Sequence, residues 1–196
     1  MTCRAFFTIS LIVLGAVAGF RANAQELRMV PGESTVGWKA TKVTGGHDGK
    51  VRLKAGTMEF KDGVLVMSDV VVDMTSITCE DIQNENTNTK LVNHLRSADF
   101  FDVERHGEAH FRTTRVELLK EDTYRITGDL VIKGTAHPNT FDMVVKRDKR
   151  SARATGTLTF DRTNYDIKYR SGSFFEGLGD RMIHDSVTLE LDIVAR

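Results

Sequence analysis

Tyr124-Arg125-Ile126-Thr127-Gly128-Asp129-Leu130-Val131-Ile132, then Lys133-Gly134-Thr135-Ala136-His137-Pro138-Asn139, then Thr140-Phe141-Asp142-Met143-Val144-Val145, is the stretch that decides the fold. Side chains alternate across a strand, so Tyr124, Ile126, Gly128, Leu130 and Ile132 share one face while Arg125, Thr127, Asp129 and Lys133 share the other. Gly134 and Pro138 interrupt the pattern, and it resumes with Phe141, Met143 and Val145 inward against Asp142 and Lys146. The stretch reads as a β-hairpin wet on one side, its tip spanning Lys133 to Asn139. A sheet of that kind buries its other face against a second sheet or curls around an apolar interior.

The rest of the chain supplies more strands of the same kind. Val36, Trp38 and Ala40 fall in phase, and the Gly-rich run from Thr44 to Gly49 reads as a loop. Val51 and Leu53 are in one phase and Met58 and Phe60 in the other, which places a bulge at Ala55-Gly56. Asp62-Gly63 is a hairpin turn that supplies positive φ cheaply, and Val64, Val66, Val70, Val72 and Met74 form its return strand. Leu91, Val92 and Leu95 recur at helical spacing, so one short amphipathic helix is expected at about Thr89–Ser97, placed as a plug or lid over an open end of the sheet. Strands follow at Glu108–Thr113, Arg115–Leu119 and Ala152–Arg162. The last carries Val187, Leu189, Leu191, Ile193 and Ala195 inward. About eight strands, one helix and no repeat or linker make an all-β single domain. An antiparallel eight-stranded barrel removes exposed sheet edges, and a sandwich is the alternative.

The chain has 196 residues, with 27 basic and 27 acidic side chains. Its first 24 read as a signal peptide: Arg4, an apolar run from Ala5 to Phe20, and the small-residue site Ala22-Asn23-Ala24 before Gln25. The run is shorter than the ~20 residues of a spanning helix, and Cys3 precedes it instead of closing it as a lipoprotein signal would. Cleavage leaves residues 25–196 as one domain of 172 residues, exported to the periplasm or secreted, with no stable membrane span. Losing Arg4 and Arg21 leaves 25 basic against 27 acidic residues, a charge of about −2, which argues against nucleic acid as a partner. Only Cys79 then remains, so no internal disulfide is possible.

Several segments, in order, carry a resemblance: Gly45-Gly46-His47-Asp48-Gly49, Asp99-Phe100-Phe101-Asp102, Gly128 to Gly134, Phe160-Asp161-Arg162-Thr163-Asn164-Tyr165, and Ser171 to Asp180 followed by Ile183-His184-Asp185. Together they resemble the YceI-like family over about Leu27 to Val194. The resemblance implies a periplasmic, lipocalin-like β-barrel that holds a polyisoprenoid or other long-chain amphiphilic lipid in its lumen, without catalysis and without a cofactor. It points to a lining of Trp38, Leu53, Phe100, Phe101, Phe111, Leu130, Ile132, Phe141, Met143, Phe160, Phe174, Phe175 and Leu189. The pairs Phe100-Phe101 and Phe174-Phe175, set in segments otherwise rich in Gly and Asp, are expected to flank the mouth or fold over the bound chain. Alternation alone would look the same in a filled barrel serving as a protein-interaction or stress-related module, and the sequence leaves a homodimer open.

Other chemistry finds little support. His106 and His110, read on one strand, would lie more than ~13 Å apart, too far to share a metal. No three-ligand motif stands out, so no metal is expected, and Cys79 reads as a spectator thiol. There is no G-x-S-x-G elbow for a secreted hydrolase. Asp161 with Asp166, and Asp180 with Asp185, read as turn and cap residues and not as acid/base partners.

Overall fold

The computed structural model describes residues 24–196; the expected signal peptide lies outside them except for Ala24. Nine strands form one antiparallel sheet: β1 (Ala24–Arg28), β2 (Thr35–Lys42), β3 (Gly45–Lys61), β4 (Val64–Asp73), β5 (Glu108–Lys120), β6 (Thr123–Ile132), β7 (Thr135–Asp148), β8 (Ser151–Asp161) and β9 (Ile183–Ala195). Each strand from β2 to β9 pairs with its successor, and β9 returns to pair with β2, so the sheet closes. The first stave is made of two pieces. β1 pairs with residues 57–61 of β3 and β2 with residues 45–51, end to end along the same edge. Between them Pro31–Glu33 forms a 3-10 turn, and Met29 bridges to Ala195. The result is an eight-staved barrel and not a sandwich.

Two-residue turns at Asp62-Gly63 (φ 50° and 88°) and Lys133-Gly134 (φ 51° and 72°) hold positive φ at both positions, the geometry that matches the right-handed twist of paired strands. The long connections lie together at the opposite end from the Asp62-Gly63 turn. β4 to β5 carries a 3-10 turn at Met74–Ser76 and helix α1 (Glu85–Arg96); β8 to β9 carries 3-10 turns at Arg162–Tyr165 and Gly179–Arg181. That end is called the roof below and the other the floor. The helix starts one turn earlier than expected because Asn84 caps it, its side chain accepting the Thr87 N–H.

The structure corrects several readings. Residues 45–49 are strand, not loop; the turn is Val43-Thr44. Gly49 answers a close approach, since a Cβ there would stand 2.0 Å from the Thr78 carbonyl oxygen, and Gly45 takes φ 135°. Residues 135–139 are likewise strand, so the hairpin tip is only two residues long. Pro138 is tolerated there because β8 pairs with β7 only from Met143 onward, leaving no partner for the missing N–H. Residues 108–120 are one strand whose phase slips between Thr113 and Arg115. The bulge in β3 falls between Leu53 and Ala55, one residue before the expected place. A second slip beside Val66 turns Leu65 inward and leaves Val64 and Val66 exposed.

Candidate functional site: an apolar chamber under a helical roof

The inward residues of the eight staves do not fill the barrel evenly. Toward the floor, Phe60, Leu65, Tyr124, Ile126, Val145, Ala152, Ala154 and Ala195 are all buried, and none borders empty space. Large side chains there meet small ones, the size alternation that fills a closed barrel. Arg147 lies over the Phe60 ring, 4.8 Å from its centroid. Above them every stave contributes to a cavity of about 160 Å³. Its wall runs through Val36, Trp38, Val51, Met58, Val70, Val72, Phe111, Leu130, Ile132, Phe141, Met143, Leu158, Phe160, Val187, Leu189 and Leu191. Gly128 lets the Phe111 ring pack close against β6, since a Cβ there would come 2.5 Å from it.

The roof closes this chamber. Met74 and Ile77 come from the end of β4, Leu95 from α1, and Phe100 and Phe101 from the turn that follows. Phe100 is held edge-on by His94, with ring centroids 4.9 Å apart, and tilted against Tyr169 at 5.4 Å. Below that turn, Asp102 adopts φ 49° and pairs with Arg105. The Arg105 guanidinium holds the Asp102 carboxyl below the usual carboxylate range. Lys133, read as an outward residue, donates from its ammonium to the carbonyls of Ala98 and Asp166 at 3.4 and 3.2 Å, tying the hairpin tip to both roof segments. Tyr165 fills the divergence between β7 and β8, its hydroxyl accepting from Asn139 Nδ2 at 2.9 Å and its ring edge-on to Phe160.

One charged side chain borders the chamber below this roof, and it is fully engaged. Arg162 is 2 % exposed. Its Nε donates to the His184 carbonyl at 3.1 Å, Nη1 to the carbonyls of Ile167 and Tyr169 at 2.7 and 3.0 Å, and Nη2 to the Ile183 carbonyl and Asp185 Oδ1, both at 3.0 Å. All five donors of the guanidinium are used. Burial lowers its pKa, with Asp185 and Asp161 opposing. Asp185 Oδ2 in turn accepts from Ser171 at 2.9 Å and Ser173 at 2.7 Å. Arg162 therefore fastens the roof to β9 and offers no free charge to a guest. Ser68, which also lines the space, shares a hydrogen bond between its hydroxyl and that of Thr113 at 2.9 Å, and His110 lines it as well.

Ten of the thirteen residues singled out in the sequence line the chamber: Trp38, Phe100, Phe101, Phe111, Leu130, Ile132, Phe141, Met143, Phe160 and Leu189. Leu53 is buried but packs outside the lining. Phe174 and Phe175 do not fold over the space; they stand in solvent, 50 % and 51 % exposed, in the roof segment between β8 and β9, with the Lys168 ammonium over the Phe174 ring. Sequence reasoning missed the roof residues Met74, Ile77 and Leu95 as lining, and it assigned no role to Arg162, although a basic residue ending an apolar strand was a signal that it has polar partners. Asp161 caps the 3-10 turn that follows it and Asp166 ends that turn in the left-handed region, as expected of turn residues.

A second constellation lies at the roof end of β3. His47 Nδ1 is 2.8 Å from Asp81 Oδ2, and Cys79 Sγ is 3.1 Å from Asp81 Oδ1. The Asp48 N–H also donates to Asp81 Oδ1, at 3.2 Å. Burial opposes ionisation of Asp81, but the bonds from His47, Cys79 and Asp48 outweigh it and bring its pKa down to about 2. Burial, reinforced by Asp81, pushes the Cys79 thiol up. Sequence spacing hid this group, because 34 residues separate His47 from Asp81. His106, by contrast, lies before β5 beside the Lys133-Gly134 turn and does not share a strand with His110.

Comparison with known proteins places the fold. The YceI-like domain model matches residues 27–195. A UPF0312 protein of Staphylococcus epidermidis is 34% identical over 125 residues, 56% of this chain and 68% of that protein. A UPF0312 protein of Ectopseudomonas mendocina is 38% identical over 63 residues, which span only a third of its length (33%) and 32% of this chain. Among solved structures, Burkholderia cenocepacia BcnA superposes with a TM-score of 0.70 at 18% identity, covering 86% of this chain and 99% of its own. A polyisoprenoid binding domain from Saccharophagus degradans does so with a TM-score of 0.63 at 10% identity, covering 87% and 97%.

Proposed function

The chain belongs to the YceI-like family, and on that premise we propose that it is a non-catalytic binding protein of the cell envelope that carries or sequesters a long-chain, neutral lipid of the polyisoprenoid kind. The observation that carries this reading is the chamber itself, an apolar space bordered by every stave, whose one buried charge has all its donors bound by protein. Such a lining accepts hydrocarbon, and Arg162 has no donor left to act on a guest. The polyisoprenoid binding domain of Saccharophagus degradans shares the barrel and supports the choice of ligand class. Export rests on the Ala5–Phe20 run and the Ala22-Asn23-Ala24 site.

Volume sharpens the proposal. A cavity of roughly 150 Å³ is filled by benzene, so the space of about 160 Å³ takes one end of a polyisoprenoid and not the whole chain. Entry therefore requires the roof to move. The staves are fixed by continuous ladders, whereas the turn from Phe100 to Asp102 and the segment from Asp166 to Met182 are held by scattered backbone bonds, such as those from Phe101 N–H to the Leu95 carbonyl and from Val43 N–H to the Met182 carbonyl, together with side-chain contacts. The exposed pair Phe174-Phe175 belongs to the second of these and is placed to meet lipid tails first.

Denaturing extraction of the purified protein followed by mass spectrometry tests the reading. A long-chain amphiphile at near one per chain is expected. An extract without lipid, together with no uptake of a fluorescent long-chain probe, would instead favour a barrel used as an interaction module.

A further inference from the structure

We propose that His47, Cys79 and Asp81 form a binding site for a borderline-soft divalent cation of the Zn²⁺ kind, outside the lipid chamber and at the roof end of β3. The three potential ligand atoms lie within 4.8 Å of one another. Ligand bonds to zinc of about 2.0 to 2.3 Å put tetrahedral donors roughly 3.3 to 3.8 Å apart, so the observed set needs adjustments of an ångström or less. A thiol, an imidazole and a carboxylate are the donor types such a cation prefers, and three of them leave the fourth position open to water.

The backbone assembles the set. Thr78 donates its N–H to the Lys50 carbonyl at 2.9 Å and Glu80 donates to the Asp48 carbonyl at 2.8 Å, so the segment leaving β4 runs beside β3. Cys79 and Asp81, two residues apart, then project to one side, where His47 stands. Gly49 permits this approach, since any side chain there would meet the Thr78 carbonyl. Asn88 Nδ2 donates to the Cys79 carbonyl at 2.9 Å and fixes the segment to α1. Cys79 is buried, and the His47 and Asp81 side chains are 34% and 27% exposed, which leaves a path from solvent.

The charge balance closes. The two protons now shared with Asp81, on Cys79 Sγ and His47 Nδ1, occupy the positions the cation would take. On binding, the thiol proton goes to solvent, while the neutral imidazole gives up its Nδ1 proton and takes one up on Nε2, so that one proton is released in all. Thiolate and carboxylate then neutralise the two positive charges, and the affinity should rise with pH because a proton is released. A nucleophilic use of Cys79 fits less well. Its sulfur contacts the carboxylate and not the imidazole, so no base is placed to activate it, and its pKa is raised.

Titration of untagged, metal-stripped, reduced protein with Co²⁺, then displacement by Zn²⁺, tests the site. The expected result is one equivalent bound, with tetrahedral visible bands and a sulfur-to-cobalt charge-transfer band that disappears in Cys79→Ser. His47→Ala and Asp81→Asn should each weaken Zn²⁺ binding beyond the roughly 10- to 100-fold typical of losing a residue that only orients a ligand. His47 is partly exposed, so its variant keeps the test decisive if Cys79→Ser folds poorly, and circular dichroism checks each protein. Absence of the charge-transfer band in the folded parent protein overturns the proposal, as do Zn²⁺ affinities unchanged in Cys79→Ser and His47→Ala, which would mean adventitious binding elsewhere.

Discussion

The floor and the chamber are built from the same staves, yet they are held in different ways. At the floor Phe60, Tyr124 and Ile126 are buried in one core with Ala152, Ala154 and Ala195, so that large side chains share the interior with small ones. In the chamber Trp38, Phe111 and Phe160 are large on all sides and leave a gap that only the roof closes. The floor interior is apolar packing, its polar partners such as Arg147 over Phe60 lying at the rim, whereas the roof depends on polar fasteners: Asp102 with Arg105, Asp166 with Lys168, Lys133 with two carbonyls, and Arg162 with five acceptors. One barrel thus combines an end with no freedom and an end whose bonds can be exchanged one at a time.

Four measurements would break or sharpen that contrast. The largest effect is expected from Leu130→Asp, which places a carboxylate in the chamber wall without a partner. Uptake of a fluorescent long-chain probe should be abolished; undiminished uptake in a variant that is folded by circular dichroism would show that lipid does not sit inside. Next come two aromatic truncations compared by denaturant unfolding. Phe60→Ala at the floor should cost about 3–5 kcal/mol, as for a fully packed ring. Phe101→Ala, whose half-buried ring already borders empty space, should cost less than about half of that, and equal costs would refute the distinction between the two ends.

Acidification should act on the roof first, because the lowered carboxylates Asp142 and Asp192 elsewhere sit on strands already joined by ladders, whereas those of the roof lie in or beside its turns. Asp73 is held low by the Thr75 hydroxyl, Asp102 by Arg105 and Asp166 by Lys168. A carboxyl whose folded pKa is depressed contributes stability that is present above its unfolded value of about 4 and is lost as pH falls through the folded value. Amide exchange followed down to and below that range should therefore speed up at Phe101 to Arg105 while Ile126 and Val145 stay protected. Simultaneous loss of protection would mean that the roof does not open separately. The smallest effect concerns Phe174→Ala with Phe175→Ala. Both rings are half exposed, so stability should change by less than about 0.5 kcal/mol, while transfer of lipid from phosphatidylcholine vesicles slows several-fold. Unchanged transfer would remove the pair from the entry route.

Much of this was legible in the sequence because strand alternation records which way each side chain points. Leu130, Ile132, Phe141 and Leu189 were placed inward by parity alone, and the Asp62-Gly63 turn by its need for positive φ. What the pattern hid has two physical causes. Bulges at Lys54, Val66 and Thr114 reset the parity, so Val64 and Val66 were read inward and one long strand was read as two. Glycines were read as turns when Gly46 and Gly49 are there to let another segment of backbone come close. Neither the roof nor the group of His47, Cys79 and Asp81 has a local signature, since both arise where residues distant along the chain are brought together. The same holds for the emptiness of the chamber, which depends on the sum of side-chain volumes facing one another across the barrel.

The divided first stave has a consequence for how the barrel is made. Apart from β1 with β3, the other neighbours in the sheet follow one another along the chain, but the joint between β1–β2 and β9 links residues as far apart as Ser34 and Val194, 160 positions. Bringing such distant segments together carries a loop-closure entropy of roughly 4–5 kcal/mol by the logarithmic law, although structure formed in between shortens the effective loop. The hairpins have no such barrier. On this cost the joint is expected to be the last to zip during folding, with the bonds between Arg28 and Arg196 and the Ser34 contact to Val194 as its clasp. A barrel synthesised from its N-terminus must wait for its final residues before any interior exists to be filled.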